Sequence, residues 1–304
     1  MKVSYNELTV NGYIIRGLFS TPDNGEYKSV AVFLHGYTGH KNETSFLFKQ
    51  LCAKFVENGI ATLRYDYYGS GDSDGEFHNQ TFTTARNDAK AAIDEGVRLN
   101  GGKKIILCGF SMGGAVAARM SIEKSDCIEK LVLISPAGCM LNILTTTFKT
   151  RQIAENNCID LGGYYVSKDF LDSLMGVEFY EGLENFKEPV LIVQGEEDIS
   201  VKPEVSKKYT EYYTNCEYVL IPGAGHGYNS VPIRRQIQEI IVDFLNKFQE
   251  QLFQLSFAQL ENKLDKKTKE ILLEEYKKET YVELILELLD MQNNVTLYDH
   301  NFKI

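Results

Sequence analysis

A Gly-x-Ser-x-Gly segment at residues 109–113 constrains the fold of this chain more than any other feature. An apolar run from Ile105 to Cys108 precedes it, and a run of small residues with helical periodicity, 115–120, follows it. Glycines on both sides of a serine between a strand and a helix are typical of a sharp turn that projects the serine hydroxyl above a sheet. A capping serine in an ordinary strand-to-helix turn is the alternative, so other segments must supply the partners of a nucleophile.

Strand and helix patterns alternate on both sides of this turn. Residues 3–20 alternate polar and apolar positions around Asn11-Gly12, which predicts an antiparallel hairpin at a sheet edge. Buried strands are predicted at 29–35, 60–65, 105–108, 130–134, 190–194 and 217–221, and helices at about 44–58, 82–99, 203–213 and from Pro232 onward. Such repeated units predict an α/β fold with a mostly parallel, doubly wound sheet, whose ligands bind at the carboxyl ends of the strands.

Two regions interrupt this alternation. Residues 137–187 are too long for an ordinary connection between two core strands, and we expect a small cap insertion there. The chain after residue 249 has long helical periodicity with an apolar stripe. We therefore predict one large domain at 1–249 and a helical C-terminal extension at 250–304. The apolar stripe of the extension would dock on the domain or form a homo-oligomer, with binding of another partner as the alternative.

Charge and composition exclude several classes of partner. The formal net charge of -10 argues against nucleic acid and anionic membranes. Glu7 lies where a signal peptide would have its apolar core, and no apolar run reaches the roughly 20 residues that span a bilayer. We therefore expect a cytoplasmic protein. The six cysteines lack a Cys-x-x-Cys pair and are interpreted as reduced thiols, and the five histidines lack metal-ligand spacing, so we expect neither metal nor cofactor.

A nucleophilic Ser111 needs an acid that follows it on a strand-end loop. The base that takes its proton is oriented by a carboxylate, and in this kind of fold the acid precedes the histidine along the chain. Asp198, after the penultimate predicted strand, is the predicted acid because the apolar pair Ile199 and Val201 would anchor its loop. The neighbouring carboxylates at positions 196 and 197 are the alternatives, interpreted as solvated charge.

The predicted general base is His226, which lies between Gly225 and Gly227 on the loop after the last predicted strand. Small neighbours leave its ring room to approach the serine. Negative charge that develops on a substrate carbonyl requires preorganised donors. The backbone N–H of Met112, at the start of the helix, and that of Tyr37, after an early strand, are the predicted oxyanion hole.

Two other conspicuous features are interpreted as structural. His35 precedes the serine and is expected to form hydrogen bonds beneath the loop that carries Tyr37. The polar, Gly-rich loop at 64–75 lacks the Gly-Lys-Ser/Thr of a phosphate-binding loop, so we expect it to support the site.

Five motifs in this order resemble those of the α/β-hydrolase superfamily over about residues 3–248. They lie at 35–39, 66–73, 109–113, 195–198 and 223–226. The segments 35–40 and 61–66 are particularly similar to those of bacterial cinnamoyl or feruloyl esterases. Monoglyceride lipases and serine aminopeptidases share most of the same motifs.

The resemblance implies an α/β-hydrolase fold and esterase activity on hydroxycinnamate esters, with the cap insertion forming an aromatic acyl pocket. Tyr164 and Tyr165 are the candidate substrate-binding residues, with packing in a hairpin as the alternative. The chain departs from this family in its short cap, in having no tryptophan, and in its extension after residue 249.

The sequence therefore predicts a serine carboxylesterase that acts on a small-molecule ester. A monoacylglycerol lipase or an aminopeptidase with the same catalytic residues is the alternative enzyme, and a non-catalytic interaction scaffold is the alternative outside enzymes.

Overall fold

The structure is a computed structural model of the 304-residue chain and describes residues 1–154 and 157–260, of which 248–260 are described as backbone. The chain separates into two compact units, Met1–Val242 and Asp243–Ile304. The sheet and the candidate site lie in the first unit. The division at residue 249 stays a prediction.

Strands and helices alternate through the first unit. The strands are β1 (Lys2–Val10), β2 (Tyr13–Thr21), β3 (Ser29–Leu34), β4 (Ile60–Tyr65), β5 (Ile105–Phe110), β6 (Ile128–Ile134), β7 (Cys158–Leu161), β8 (Tyr164–Ser167), β9 (Val190–Gly195) and β10 (Cys216–Ile221). The α-helices are α1 (Leu47–Glu57), α2 (Phe82–Leu99), α3 (Met112–Glu123), α4 (Met140–Thr150), α5 (Lys168–Ser173), α6 (Pro203–Lys208) and α7 (Val231–Leu260).

In the described residues, eight of the strands form one mostly parallel sheet. Their order is β1-β2-β4-β3-β5-β6-β9-β10, and only β2 runs antiparallel to its neighbours β1 and β4. The hairpin turn at Asn11 and Gly12 has φ values of 48° and 90°, the left-handed conformation that suits a two-residue hairpin loop. The predicted α/β-hydrolase sheet with its antiparallel edge hairpin is confirmed.

Alternate side chains of β3 show how helices cover both faces of the sheet. Val30, Val32 and Leu34 belong to the same buried cluster as apolar residues of α2 and α3. Phe33, between them, packs its ring against Phe48 of α1, with ring centroids 5.1 Å apart. Because successive side chains of a strand point to opposite faces, α1 covers one face and α2 and α3 cover the other.

The turn between β5 and α3 packs against the end of β3 without room for side chains. Ser111 has φ 54° and ψ −118°, a conformation that L-residues rarely adopt. A Cβ at Gly113 would lie 1.9 Å from the Leu34 carbonyl oxygen, and one at Gly109 would lie 2.3 Å from the Gly113 carbonyl oxygen. Both glycines are therefore required by close backbone approach.

The predicted cap insertion begins where β6 ends, at the carboxyl edge of the sheet. It contains α4, the β7–β8 hairpin and α5. Val166, Phe170 and Leu174 are buried and belong to the same apolar cluster as residues of α2 and α3, so the insertion packs on the body of the domain.

The C-terminal extension is described only as far as Leu260, the last described residue of α7. The further helices predicted up to residue 304, and the homo-oligomer that they would form, lie outside the described residues. None of the helices that the structure describes is both long and apolar enough to cross a membrane. The cytoplasmic location stays a prediction.

We expect Gly113→Ala to destabilise the first unit by about 1–3 kcal/mol or more, because the added methyl would collide with the backbone of β3 rather than with a mobile side chain. Urea unfolding followed by circular dichroism measures the change. Gly225→Ala is the matched control, since its Cβ would meet only the Glu197 carbonyl oxygen at 3.9 Å. Equal stability of the two variants would contradict the packing argument.

Candidate active site

Three side chains from three strand-end loops meet at the carboxyl edge of the sheet. His226 Nε2 lies 3.0 Å from Ser111 Oγ, and His226 Nδ1 lies 2.7 Å from Asp198 Oδ2. The carboxylate can only accept a hydrogen bond, so Nδ1 carries the proton and Nε2 is left to accept the serine proton. The predicted acid, base and nucleophile are thus brought together in one chain of hydrogen bonds.

The Asp198 carboxylate is held by its own loop. Its Oδ1 accepts the backbone N–H groups of Ser200 and Val201 at 2.9 and 2.8 Å, and its Oδ2 accepts Gln194 Nε2 at 3.2 Å. Burial opposes ionisation of this carboxyl, but the hydrogen bond and charge of His226 outweigh it and lower the pKa of Asp198 below its usual value. An ionised carboxylate is the form that orients an imidazole.

One sequence expectation about this loop is wrong. Val201 is buried, as predicted, but the Ile199 side chain is 89% exposed and anchors nothing. Backbone N–H bonds to Asp198 hold the turn instead, which leaves the intervening residue free to point outward. Glu196 and Glu197 are exposed, in keeping with solvated charge.

The loop that carries His226 is fixed by a buried arginine that the sequence analysis missed. Arg234, in the first turn of α7, donates from Nε to the Tyr228 carbonyl at 2.9 Å and from Nη2 to the Gly227 carbonyl at 3.2 Å. Its guanidinium also donates to the carbonyls of Thr44 and Ser45, at 3.0 and 2.6 Å. Since no local pattern links residues 45 and 234, sequence reasoning had no signal for this contact.

The loop after β3 approaches the serine closely. A Cβ at Gly36 would lie 3.2 Å from Ser111 Cβ, so the following residue, Tyr37, lies beside the nucleophile. In the described residues, the Tyr37 N–H has no hydrogen-bond acceptor. The N–H of Met112, in the first turn of α3, has no acceptor within the helix. Both predicted oxyanion donors are therefore available next to Ser111.

His35 and the Gly-rich loop support this arrangement from below. His35 Nε2 accepts the Tyr67 N–H at 3.0 Å and its Nδ1 donates to the Gly36 carbonyl at 2.8 Å. Burial lowers the pKa of His35 to about 4, so the ring is neutral. The fully buried Asp66 accepts the backbone N–H and the Nζ of Lys41, at 2.6 and 2.5 Å. The two loops are thereby tied together, as their structural interpretation requires.

A row of aromatic rings leads away from the Tyr37 side of the serine. The Tyr37 ring lies 4.5 Å from that of Phe170 and 5.3 Å from that of Phe77, which in turn lies 4.8 Å from Tyr164. Tyr165 is the next residue of β8, so it points to the opposite face of the hairpin and is 51% exposed. The two predicted substrate-binding tyrosines therefore cannot line the same wall.

In the described residues, no three His, Cys, Asp or Glu side chains lie close enough together to hold a metal ion. The chemistry available at this edge of the sheet is that of a serine hydroxyl, a neutral imidazole, a carboxylate and backbone N–H donors.

Comparison with known proteins shows the same architecture elsewhere. Residues 25–154 match the family model of the serine aminopeptidases, S33. The structure of Est1E from Butyrivibrio proteoclasticus with bound ferulic acid has a TM-score of 0.69 and 25% identity, and covers 79% of this chain and 99% of that one. The chain has the α/β-hydrolase fold and resembles members of that superfamily.

Curated relatives of this hydrolase include several with other activities. The AB hydrolase superfamily protein YisY of Bacillus subtilis (strain 168) is 33% identical over 109 residues, which are 35% of this chain and 37% of that protein. Protein ABHD12B of Homo sapiens is 28% identical over 235 residues, 72% of this chain and 60% of that one. The mitochondrial palmitoyl-protein thioesterase ABHD10 of Homo sapiens is 27% identical over 135 residues, 44% and 41% of the two chains.

The chain thus spans between 37% and 60% of the length of these curated relatives. The family match, the relatives and the fold show that it resembles serine hydrolases, bacterial esterases among them.

We expect Arg234→Met to destabilise the hydrolase by about 1–3 kcal/mol for each buried carbonyl left without a donor, and to lower its activity because two site loops lose their shared anchor. Thermal unfolding and ester turnover measure both effects. Arg235→Met is the matched control, because Arg235 is the neighbouring exposed residue. Similar losses in both variants would contradict an anchoring role for Arg234.

Proposed function

We propose that this hydrolase is a serine carboxylesterase that works through an acyl-enzyme. The observation that carries the proposal is the hydrogen-bonded chain from Ser111 Oγ through both ring nitrogens of His226 to Asp198. A serine hydroxyl is a weak nucleophile unless an adjacent base accepts its proton, and the base works best when a carboxylate holds its tautomer.

In the proposed reaction, Ser111 Oγ attacks the ester carbonyl carbon while its proton moves to His226 Nε2. The carbonyl oxygen becomes an oxyanion, which accepts the backbone N–H groups of Tyr37 and Met112. When the tetrahedral intermediate collapses, the ester C–O bond breaks and His226 returns the proton to the leaving alcohol. Water, deprotonated by His226, then attacks the acyl-enzyme, and the acid leaves as Ser111 regains its proton. Asp198 stabilises the imidazolium in both steps.

Ser111→Ala is expected to reduce turnover of p-nitrophenyl acetate by about 10⁴-fold or more, since catalytic residues that act as a unit fail together. Fluorophosphonate labelling followed by mass spectrometry gives a second readout, in which the label is expected on Ser111. Ser4→Ala, in the exposed edge strand β1, is the control and keeps full activity. Turnover by Ser111→Ala equal to that of the parent chain would rule out the mechanism.

For the acyl group we propose a hydroxycinnamoyl residue. The aromatic row from Tyr37 through Phe77 to Tyr164 begins at the proposed oxyanion donor, which is where the acyl part of an ester would lie. Aromatic side chains favour offset or tilted contacts with an aromatic ligand. Ferulic acid bound to the structurally similar Est1E supports the same class of substrate.

Tyr164→Ala is expected to raise KM for methyl ferulate by about 5- to 10-fold, because it removes one aromatic contact worth roughly 1 kcal/mol. The effect on KM for p-nitrophenyl acetate is expected to be smaller. Tyr165→Ala is the matched control, because its ring lies on the other face of β8. Steady-state kinetics on both esters test this. Equal KM changes in the two variants would contradict the proposed acyl wall.

The same assays separate the other candidate activities. Monoacylglycerols and aminoacyl anilides, tested beside methyl ferulate, identify a lipase-like or aminopeptidase-like preference that depends on the same serine. Absence of fluorophosphonate labelling on Ser111 would instead favour a non-catalytic interaction scaffold.

A further inference from the structure

The mechanism leaves one buried carboxylate beside the serine unused. Glu43, between β3 and α1, is 2% exposed although it is acidic. One of its oxygens accepts the Gly36 N–H, and the other accepts the Thr44 N–H at 3.0 Å. Acceptance at both oxygens is what an ionised carboxylate provides.

This carboxylate lies in direct contact with the backbone of the oxyanion loop. A Cβ at Gly39 would lie 2.7 Å from Glu43 Oε1. A Cβ at Gly36 would lie 3.3 Å from the same oxygen and 3.2 Å from Ser111 Cβ. One backbone position therefore separates the carboxylate from the nucleophile, and glycines at both positions let it approach.

The backbone of Gly36 is held on both sides. Its N–H, in the peptide that joins His35 to Gly36, donates to Glu43, and its carbonyl, in the next peptide, accepts the Gly39 N–H at 3.1 Å and His35 Nδ1 at 2.8 Å. The Tyr37 N–H of that next peptide has no acceptor in the described residues and is available to an oxyanion.

The segment that carries Glu43 has a strained backbone. Glu43 has φ 60°, and Ser45 and Phe46 have φ 50° and 62°. Left-handed conformations at three non-glycine residues within four positions persist only where other contacts hold them, and such strain clusters at functional sites. Here Arg234 supplies the contacts through the Thr44 and Ser45 carbonyls.

No Lys or Arg side chain in the described residues forms an ion pair with Glu43. The titratable groups that face it are the His226 ring and the Tyr67 hydroxyl. Burial raises the pKa of the Glu43 carboxyl, whereas the two N–H donors and the charge of His226 act in the opposite direction. His226 therefore interacts with two carboxylates: Asp198, which is hydrogen-bonded to its ring, and Glu43, whose charge acts through space.

We propose that Glu43 is a positioning residue with two effects on the same site. It holds the Gly36 N–H and so fixes the loop backbone from which the Tyr37 N–H reaches the oxyanion, and its negative charge favours the imidazolium form of His226. This inference rests on the proposed function, since both effects act on its base and its oxyanion hole.

The two effects predict different responses to two substitutions. Glu43→Gln removes the charge and turns one acceptor into a donor that opposes the Thr44 N–H. Loss of a nearby negative charge makes imidazolium less favourable, so the acid limb of the kcat/KM profile moves to lower pH. Glu43→Asp keeps the charge but withdraws it by one methylene, so it disturbs the peptide and leaves the acid limb in place.

The experiment measures kcat/KM for p-nitrophenyl acetate from pH 4 to 9 in the full chain. For Glu43→Gln we expect a kcat/KM plateau about 10- to 100-fold lower than that of the parent chain, because a misplaced oxyanion donor causes losses of this size. We also expect its acid limb to move to lower pH by roughly one pH unit. For Glu43→Asp we expect a lower plateau with the limb unshifted. Glu196→Gln, which removes an exposed carboxylate from the same chain, is the charge-matched control and leaves both unchanged.

The proposal would be overturned if the kcat/KM profile of Glu43→Gln had the same plateau and the same acid limb as that of the parent chain. It would also be overturned if Glu43→Gln and Glu43→Asp shifted the acid limb by the same amount. If Glu43→Gln does not fold, Glu43→Asp decides the positioning role, and a parent-like plateau overturns it. Ser111→Ala is assayed in parallel. A parent chain without Ser111-dependent turnover contradicts the proposed function, whereas Ser111-dependent turnover that Glu43→Gln leaves intact contradicts only the role of Glu43.

Discussion

The close contact between the serine turn and the end of β3 is the constraint on which the rest of the candidate site depends. Gly113 lies where any side chain would collide with the Leu34 carbonyl, and Ser111 is held in a conformation that few residues tolerate. This contact brings the loop that follows β3 to the serine. The position of the two N–H donors therefore depends first on packing between two adjacent parallel strands.

Loops are the least rigid parts of most folds, so a site built from three of them needs other residues to hold the loops in place. Two buried charged residues supply much of it here. Asp66 ties the loop after β4 to Lys41, and Arg234 ties the loop of His226 to the segment that begins α1. Glu43 lies between these supports and the serine. Each holds backbone groups, and Asp66 also holds the Lys41 ammonium. These bonds fix the direction of N–H and carbonyl groups near the reaction.

The sequence anticipated the features that depend on local pattern. The parallel strands and the edge hairpin lie where periodicity and turn residues predicted them, because burial on both faces of a sheet leaves continuous apolar runs. The expectation that Ile199 anchors the acid loop was wrong, because hydrogen bonds to Asp198 hold the turn without it. Tyr164 and Tyr165 could not be distinguished before their strand was known, since only strand geometry separates two adjacent residues into two faces.

By itself, the sequence determined the α/β fold and the order of its strands along the chain. It also indicated which serine, acid and histidine lie on the loops that follow three of those strands. These follow from spacing along the chain, which a single sequence contains. The tertiary structure alone decided that Arg234 joins two loops and that Glu43 lies against the oxyanion loop with its charge facing His226. Such contacts join loops that meet only after the sheet has assembled, or depend on a strained backbone, and neither leaves a periodic signal in the sequence.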